Sequence, residues 1–406
     1  MCASPTSRSL MTSLDPPSAA AVDEPGGASP VGTPPTRTPL TRIATTMADG
    51  RELIYFDEQP DRERILTDPR DLPVVVPASE ARFDALVGEW VGIAGHRQSR
   101  TYHPPADICP LCPSTPGNQS EIPSPDYDVV VFQNRFPSFG GAGAVAQDGA
   151  LFDLRPGTGR CEVVCFTADH TATLAHLPVA RLRTVIDAWA DRTAALSAQG
   201  GVAVVFPFEN RGVEIGVTLA HPHGQIYGYP FVTPKIAAMQ RAAAAHRERT
   251  AGGDLFADLL AGELEQGVRV VGQNDTWVAF VPFAARWPVE VHLYPRRPVT
   301  DLTELEETER DDLAALYREV VLRMEGLFDD TLPTITGVYQ GPVGAGGDAI
   351  RLHLQVLTIR RAEGRLKFLA GSESAMGAFV NDLSPEGTAA RLRDVQLPTE
   401  PVPAEG

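Results

Sequence analysis

The segment Ala220-His-Pro-His-Gly-Gln-Ile-Tyr-Gly228 decides how the rest of this 406-residue chain is interpreted. Side chains two residues apart lie on one face of an extended segment, so we expect His221, His223 and Gln225 to project together. Burying two imidazoles and an amide without partners costs several kcal/mol, which disfavours a plain core strand. An imidazole can be a nucleophile, a general base or a metal ligand, so this row indicates chemistry. The alternative is a pair of satisfied surface histidines beside a Pro-Gly turn.

The sequence before this motif mixes β-rich and helical segments. Apolar and β-branched runs predict strands at 128–133, 161–166 and 202–208, and β-type residues at 213–220 lead into the motif. The segment 178–199 is predicted to be a helix, because its large apolar residues recur on one helical face. These residues are Val179, Leu182, Val185, Ile186, Trp189 and Leu196.

The sequence after the motif repeats this order. Strands are predicted at 276–281, 290–295, 335–340 and 350–357. A helix is predicted at 303–328, where an acidic first turn suits the helix dipole, and a connecting helix at 255–266. Helix, strand, glycine-containing loop and histidine-bearing strand thus occur twice. An internal duplication within an α+β chain is the economical interpretation, and chance recurrence is the alternative.

The composition excludes several classes of protein. The chain carries 35 Lys+Arg against 52 Asp+Glu, and a net charge of -17 argues against nucleic-acid or anionic-membrane partners. No apolar run approaches the roughly 18 residues of a transmembrane helix. Residues 1–46 and 397–406 are poor in large apolar side chains, so we expect disordered tails there, and the first lacks a secretory signal. Five unevenly placed cysteines suggest no disulfide framework and a reducing cytoplasm.

Cys109-Pro-Leu-Cys112 is a C-x-x-C pair, which is typical of half a zinc site or of a redox pair. A redox pair would open a helix, and the prolines and glycine that follow disfavour one. Zinc is therefore favoured, with His170 and His221 as candidates for the remaining ligands. The residues Cys161 and Cys165 alternate in a predicted strand and are expected to lie in the core.

Two further segments could bind an anion. Arg97 and Arg100 stand three residues apart beside a glycine, and a guanidinium group presents a planar fork to phosphate. Two solvated arginines are the alternative. The segment 208–218 contains two glycines whose backbone amides could approach a phosphate, although a plain turn entering a strand explains the same pattern.

Together these motifs resemble the galactose-1-phosphate uridylyltransferase family, a branch of the histidine-triad nucleotidyltransferases. The resemblance covers about residues 80–395 and rests on five motifs in a fixed order. They are Gly88-Glu-Trp90 leading to the two arginines, Cys109-x-x-Cys112, Asp169-His170, Phe208-Glu-Asn-x-Gly212 and His221-Pro-His-Gly-Gln225. The resemblance implies two tandem histidine-triad-like halves, at 47–235 and 236–396, with antiparallel sheets and helices packed on them.

The resemblance also implies a reaction. His223 is expected to take UMP from UDP-glucose as a uridylyl-histidine, which galactose 1-phosphate then converts to UDP-galactose in a ping-pong cycle. Gln225 would hold a phosphoryl oxygen. The expected substrate-binding residues are Arg97, Arg100, Asn134, Asn210, Gly216, Thr218, Lys367, Phe368 and Glu373. One structural zinc would be held by Cys109, Cys112, His170 and His221, and the protein is expected to be a cytoplasmic homodimer.

Some positions depart from the family pattern. Of a second metal site found in some members, only His353 is retained, since Gln340 and Gln355 replace histidines and Met239 or Gln240 stands near the glutamate position. We therefore expect no second metal and one catalytic half. In the late substrate-binding segment Ser372 replaces an aromatic residue, and an exposed ion pair is the alternative role for Lys367 with Glu373.

Two other functions compete with this one. The first is a related nucleotidyl transfer or phosphorolysis acting on ADP-sugars or dinucleoside polyphosphates, whose enzymes use the same His-x-His-x-Gln pattern. The second, of a different class, is a non-catalytic nucleotide-binding module stabilised by zinc.

Overall fold

The computed structural model describes residues 39–74, 76–99, 104–141, 145–149, 151–328, 332–344 and 346–398. The strands are β1 Thr41–Thr46, β2 Glu52–Asp57, β3 Glu80–Asp84, β4 Glu89–Ile93, β5 Val129–Gln133, β6 Leu154–Pro156, β7 Arg160–Cys165, β8 Val204–Arg211, β9 His223–Tyr229, β10 Val270–Gln273, β11 Trp277–Phe280, β12 Val289–Pro295, β13 Thr334–Tyr339, β14 His353–Thr358, β15 Arg360–Ala362 and β16 Arg365–Leu366. The α-helices are α1 Val179–Ser197, α2 Pro234–Arg249, α3 Leu255–Gln266, α4 Glu307–Glu325 and α5 Pro385–Asp394. None of the described helices is both long and apolar enough to cross a membrane.

A single antiparallel sheet of eleven strands runs through both halves, in the order β1-β2-β5-β7-β9-β8-β13-β14-β12-β11-β10. Strands β8 and β13 join the halves, with Phe208 opposite Gly337 and Arg211 opposite Thr334. Outward from this junction the orders β8-β9-β7-β5 and β13-β14-β12-β11 correspond, which supports the inferred duplication. The α+β class with antiparallel pairing is confirmed, but the two halves share one sheet.

Helices α1 and α4, one from each half, cover one face of this sheet. The ring centroids of Trp189 on α1 and Tyr317 on α4 are 6.4 Å apart, and both side chains are buried. Burying a large apolar side chain contributes about 1.5–3 kcal/mol, so this contact helps to hold the halves together. At its edge Arg183 pairs with Glu307 and Asp311, each at 2.7 Å.

The predicted N-terminal tail of residues 1–46 is wrong at its end, because Thr41–Thr46 forms strand β1. This strand pairs along its whole length with β2. Ile43 packs against a buried apolar cluster that includes Leu53 and Tyr55. The strand was missed because the composition of residues 1–46 as a whole is poor in large apolar side chains, and the alternation of side chains extends over only six residues. Residues 1–38 and 399–406, which hold most of the two predicted tails, lie outside the described residues.

The extended segment predicted at 213–220 is also wrong. A 3₁₀ turn at Val213–Ile215 is followed by irregular chain, so these residues form no strand before His223. Gly212 and Gly216 have φ values of +103° and +82°, which glycine adopts without steric cost and which interrupt a strand.

The predicted helix at 303–328 begins later, at Glu307, after a 3₁₀ turn at Leu302–Glu304.

Candidate active site

Four side chains of the kinds that bind metals meet in one cluster. The ligand atoms of Cys109, Cys112, His170 and His221 all lie within 4.8 Å of one another. The Sγ of Cys112 is 3.3 Å from Nδ1 of His170 and 3.5 Å from Nδ1 of His221. Ligand atoms around a tetrahedral zinc ion stand about 3.5 Å apart for sulfur and nitrogen, so the donor set fits such an ion. The structure therefore brings together the four predicted ligands in a cluster that could bind a metal.

The ring of His221 is oriented by two neighbours. Its Nε2 lies 2.9 Å from the carbonyl oxygen of Thr167 and 2.7 Å from the hydroxyl of Tyr127, which itself donates to the carbonyl of Leu111 at 2.9 Å. A carbonyl only accepts, so Nε2 carries the proton and Nδ1 keeps its lone pair toward Cys112. Tyr127 was not among the predicted site residues, because no local pattern links it to a histidine 94 positions away.

Burial favours the uncharged forms of the groups in this cluster. Burial, followed by the neighbouring Cys109, raises the pKa of Cys112 to about 12. Burial also lowers the pKa of His221 to about 4, so its imidazole is neutral. Neutral imidazoles are ready ligands, and a bound divalent cation would stabilise the thiolates that burial alone disfavours.

The three polar side chains of the motif do not project together, and the change of direction comes at Pro222. Strand β9 begins at His223, and its odd-numbered residues alternate with buried Gly224 and Ile226. His223 and Gln225 therefore line one cavity of about 220 Å³, whereas His221 turns into the metal cluster. The expectation that all three side chains project together is wrong, because the extended conformation starts only after the proline.

Gly224 allows the strands to approach at this point. A Cβ atom there would lie 2.8 Å from the carbonyl oxygen of Phe208 and 2.9 Å from the ring of Phe166. Real Cβ atoms do not come so close to backbone, so any other residue would displace β8 or β9. The glycine thus allows the close pairing of β8 and β9 on which the placement of His223 and Gln225 along the cavity depends.

The imidazole of His223 has a fixed orientation, and burial favours its neutral form. Its Nδ1 lies 2.7 Å from the carbonyl oxygen of His221, so Nδ1 carries the proton and Nε2 keeps its lone pair. Burial lowers the pKa of His223, although the hydrogen bond to that carbonyl opposes the change. An uncharged imidazole with a fixed tautomer and a lone pair at Nε2 can attack an electrophilic phosphorus.

The cavity offers cationic groups for an anion. Arg97 and Arg135 line it, and Arg97 Nε is buried without a hydrogen-bond partner in the described part of the chain. Another nitrogen of Arg97 donates to Ser138, which fixes the direction of the guanidinium group. The carboxylate in the lining, Glu121, is paired with Arg51 at 2.5 Å and with Arg135 at 3.9 Å. An anion is the natural partner for the unpaired N–H group.

The other predicted substrate-binding residues divide into three groups. Asn134 and Thr218 line the cavity with His223. Asn210, on β8, and Gly216 are not in the lining, and Arg100 lies outside the described residues. The late-segment residues Lys367, Phe368 and Glu373 are not in it either.

The late segment has a structure of its own. Lys367 Nζ is 2.9 Å from Glu373 Oε1, and the two side chains are 9% and 7% exposed, so the pair is shielded and not an exposed one. The neighbouring Phe368 is 71% exposed. This chain alone therefore leaves a large aromatic side chain of the predicted sugar-binding segment uncovered.

The replaced positions of the second metal site are engaged elsewhere. The amide of Gln340 accepts from Leu302 N at 2.9 Å and donates to Val205 O at 3.1 Å. The amide of Gln240 donates to Gly346 O at 3.2 Å.

Comparison with known proteins agrees with these features. The models of the galactose-1-phosphate uridyl transferase N-terminal and C-terminal domains match residues 72–233 and 238–400. The chain is 44% identical over 368 residues to the galactose-1-phosphate uridylyltransferase of Streptomyces lividans, covering 88% of this chain and 98% of that protein. It is 33% identical to the Thermotoga maritima protein of the same name, covering 78% and 99%. A solved uridylyltransferase superposes with a TM-score of 0.68 at 31% identity, covering 77% of this chain and 97% of that one. The resemblance is thereby confirmed, and the chain belongs to the galactose-1-phosphate uridylyltransferase family.

Proposed function

We propose that this enzyme transfers UMP from UDP-glucose to galactose 1-phosphate through a uridylyl-histidine formed on His223. The observation that carries the proposal is the 2.7 Å contact between His223 Nδ1 and the carbonyl of His221, which leaves the lone pair on Nε2. Arg97 and Gln225 line the same cavity, where they can hold phosphoryl oxygens. The relatives named above carry this activity in their names, and the residues present here suit it.

The reaction balances without an added acid or base. Nε2 of His223 forms a bond to the α-phosphorus of UDP-glucose, and the bond from phosphorus to the oxygen of glucose 1-phosphate breaks. The imidazole becomes a cation that still donates Nδ1–H to the carbonyl of His221. A phosphate oxygen of galactose 1-phosphate then attacks phosphorus, the N–P bond breaks, and UDP-galactose leaves with the imidazole neutral again. Arg97 counters the negative charge that gathers on the phosphoryl oxygens.

Mass spectrometry of the intact protein mixed with UDP-glucose tests this function. We expect a UMP adduct that is labile to mild acid and that galactose 1-phosphate removes. His223→Ala should form no adduct and lose exchange while it keeps the same fold. An adduct from ADP-glucose alone would instead favour adenylyl transfer, and nucleotide binding without any adduct would favour the non-catalytic module.

We propose that the metal of the Cys109 cluster is one structural zinc per chain. Two sulfurs and two imidazole nitrogens at the observed spacings suit tetrahedral zinc, and no position is left open for substrate. Elemental analysis should find about one zinc per chain, and Cys109→Ser should lose it. The matched control is Cys161→Ser, since Cys161 is buried in β7 outside the cluster. A stable, active protein without metal would contradict the assignment.

We also propose a cytoplasmic homodimer in which a second copy brings its late segment to the His223 cavity. The exposure of Phe368 supports this arrangement, because one chain alone leaves that side chain uncovered. Mixing His223→Ala protein with Lys367→Met protein should restore activity in mixed dimers, since one of the two cavities then has both groups intact. No recovery after subunit exchange would contradict a shared site.

A further inference from the structure

A second cavity, of about 360 Å³, lies in the C-terminal half. Its position repeats that of the His223 cavity. In the N-terminal half, Phe132, Val163 and Gln225 are directly opposed neighbours on β5, β7 and β9. In the C-terminal half, Phe280, His292 and Gln355 are opposed in the same way on β11, β12 and β14. All three residues of each row line the cavity of their own half.

This second cavity does not expose a histidine at the position that matches His223. His353 precedes Gln355 by two residues, as His223 precedes Gln225, and its Nδ1 is likewise held by a carbonyl, that of Arg351 at 2.8 Å. However, His353 is fully buried, and its Nε2 is 3.1 Å from the amide nitrogen of Gln355. The ring is therefore closed off from the cavity, and the imidazole that matches His223 is present but not available to a ligand.

Two cations of this cavity have no carboxylate partner. Lys235 Nζ donates to Gln355 Oε1 at 2.6 Å and to the hydroxyl of Tyr339 at 3.0 Å, and both acceptors are uncharged. Arg286 lies with its guanidinium carbon 5.5 Å from the ring centroid of Phe379. Among the residues that the structure describes, neither cation has a carboxylate oxygen within the 4.0 Å of an ion pair.

The carboxylates that line the cavity are already engaged. Glu290 accepts from the backbone N–H groups of Arg286 at 2.7 Å and Trp287 at 3.1 Å, and it is 2.9 Å from Nε2 of His292. Glu263 is paired with Arg269 at 2.8 Å. Backbone hydrogen bonds leave the charge of Glu290 in place, so this carboxylate offsets one of the two cations without contacting either, and the cavity keeps one net positive charge.

The rest of the wall is apolar. Aromatic rings and aliphatic side chains from α2, α3, β11 and the turn after it surround the cations, and they are Met239, Leu255, Phe256, Leu259, Phe280 and Phe283. Phe283 is 73% exposed, so part of this apolar surface faces solvent. A ligand that covers it and also supplies a negative charge would remove two unfavourable features at once.

We propose that this cavity binds a small organic anion, whose apolar ring-sized body lies against the phenylalanines and whose carboxylate or phosphate group reaches Lys235 and Arg286. Size and charge both favour this class of ligand. The cavity has room for a ring with one acidic substituent, and a neutral ligand would leave the buried ammonium unpaired. The site is separate from the His223 cavity, so the proposal does not depend on the transferase reaction.

Calorimetric titration tests the proposal with phenyl phosphate, benzoate and the neutral benzyl alcohol as probes. The titrated protein carries Arg97→Met, which weakens anion binding in the first cavity. We expect one equivalent of phenyl phosphate or benzoate to bind, and the tighter of the two shows whether the site prefers phosphate or carboxylate. Adding Lys235→Met should weaken that binding at least about tenfold, and benzyl alcohol should bind at least about tenfold less tightly.

A second measurement keeps the test decisive if Lys235→Met fails to fold. The chain contains only two lysines, Lys235 and Lys367, so ¹³C-labelled lysine yields two side-chain NMR signals that Lys367→Arg assigns. Saturating phenyl phosphate or benzoate should move the Lys235 signal in Arg97→Met protein. The proposal is wrong if neither anion binds, if Lys235→Met leaves the affinity unchanged, or if the Lys235 signal stays in place at saturation.

Discussion

Replacing Lys235 with methionine should stabilise the protein most at neutral pH and progressively less as the pH becomes alkaline. The side chain lies in the C-terminal half with its ammonium group against Gln355 and Tyr339. Burial lowers the pKa of Lys235 from 10.5 to about 8, while nearby Glu290 raises it and Arg286 lowers it further. The folded chain thus carries a charge that its surroundings do not favour.

The magnitude follows from proton linkage. Above about pH 8 the folded chain releases this proton, while the unfolded chain keeps it until about pH 10.5, so the free energy of unfolding of the wild-type protein rises across that window. The cost of the buried ammonium is fully present below pH 8. The interval between the two pKa values corresponds to about 3 kcal/mol. Methionine removes the free-energy cost of the buried ammonium group. It also removes two hydrogen bonds, which contribute about 1 kcal/mol each at every pH.

Urea unfolding of the wild-type and Lys235→Met proteins, from about pH 6.5 to about pH 11, measures the effect. The quantity of interest is the difference in unfolding free energy between the two proteins, because other titrating groups cancel in it. The unfolding free energy of Lys235→Met minus that of the wild type should fall by about 3 kcal/mol as the pH rises through the window. Lys367→Met, which removes the other lysine of the chain, controls for the loss of a lysine charge as such.

Two results would refute this reasoning. The first is a difference between wild type and Lys235→Met that stays constant with pH, since burial of the ammonium would then carry no linked free energy. The second is a lysine NMR titration in which the pKa of Lys235 is not below the ordinary value for lysine.

Three further predictions concern the site and the core. Tyr127→Phe should weaken zinc binding about tenfold to a hundredfold in chelator competition, because it removes an orienting contact of His221, and unchanged affinity would contradict that role. Arg97→Met should lower kcat/KM about a hundredfold or more with unchanged thermal stability, and near-normal turnover would show that its unpaired Nε serves no phosphate. Leu354→Ala, at a fully buried position of β14, should lower the free energy of unfolding by about 2–5 kcal/mol, against less than about 0.5 for Val213→Ala on an exposed turn, and equal effects would argue against the assigned core.

Elements with strong local periodicity were predictable. The helix expected at 255–266 is α3 with the same bounds, and the strand expected at 128–133 is β5. Helix α2 was not anticipated, because Ile236 and Ala243 are its only buried side chains, which leaves almost no apolar stripe to recognise. The segment 213–220 was misread because its β-branched residues favour strand locally, while two glycines with positive φ break the pairing.

The grouping of the candidate reactive side chains was likewise predictable where it is local. A C-x-x-C pair and a His-Pro-His-Gly-Gln motif each place their reactive groups within five residues, so backbone geometry alone limits what they can do. The sequence could not separate His221 from His223 in role by spacing alone. The separation depends on where strand β9 begins, and that is set by pairing with β7 and β8.

By itself, the sequence determined the reactive groups, the apolar periodicity and the duplicated order of elements, because each is a property of residues close together in the chain. Only the tertiary structure decided that β8 joins β13 into one sheet, that Tyr127 orients His221, and that Lys235 meets Gln355 in a second cavity. These contacts join residues about a hundred or more positions apart. Their partners are chosen by strand order and register, which depend on burying both apolar faces of the sheet at once.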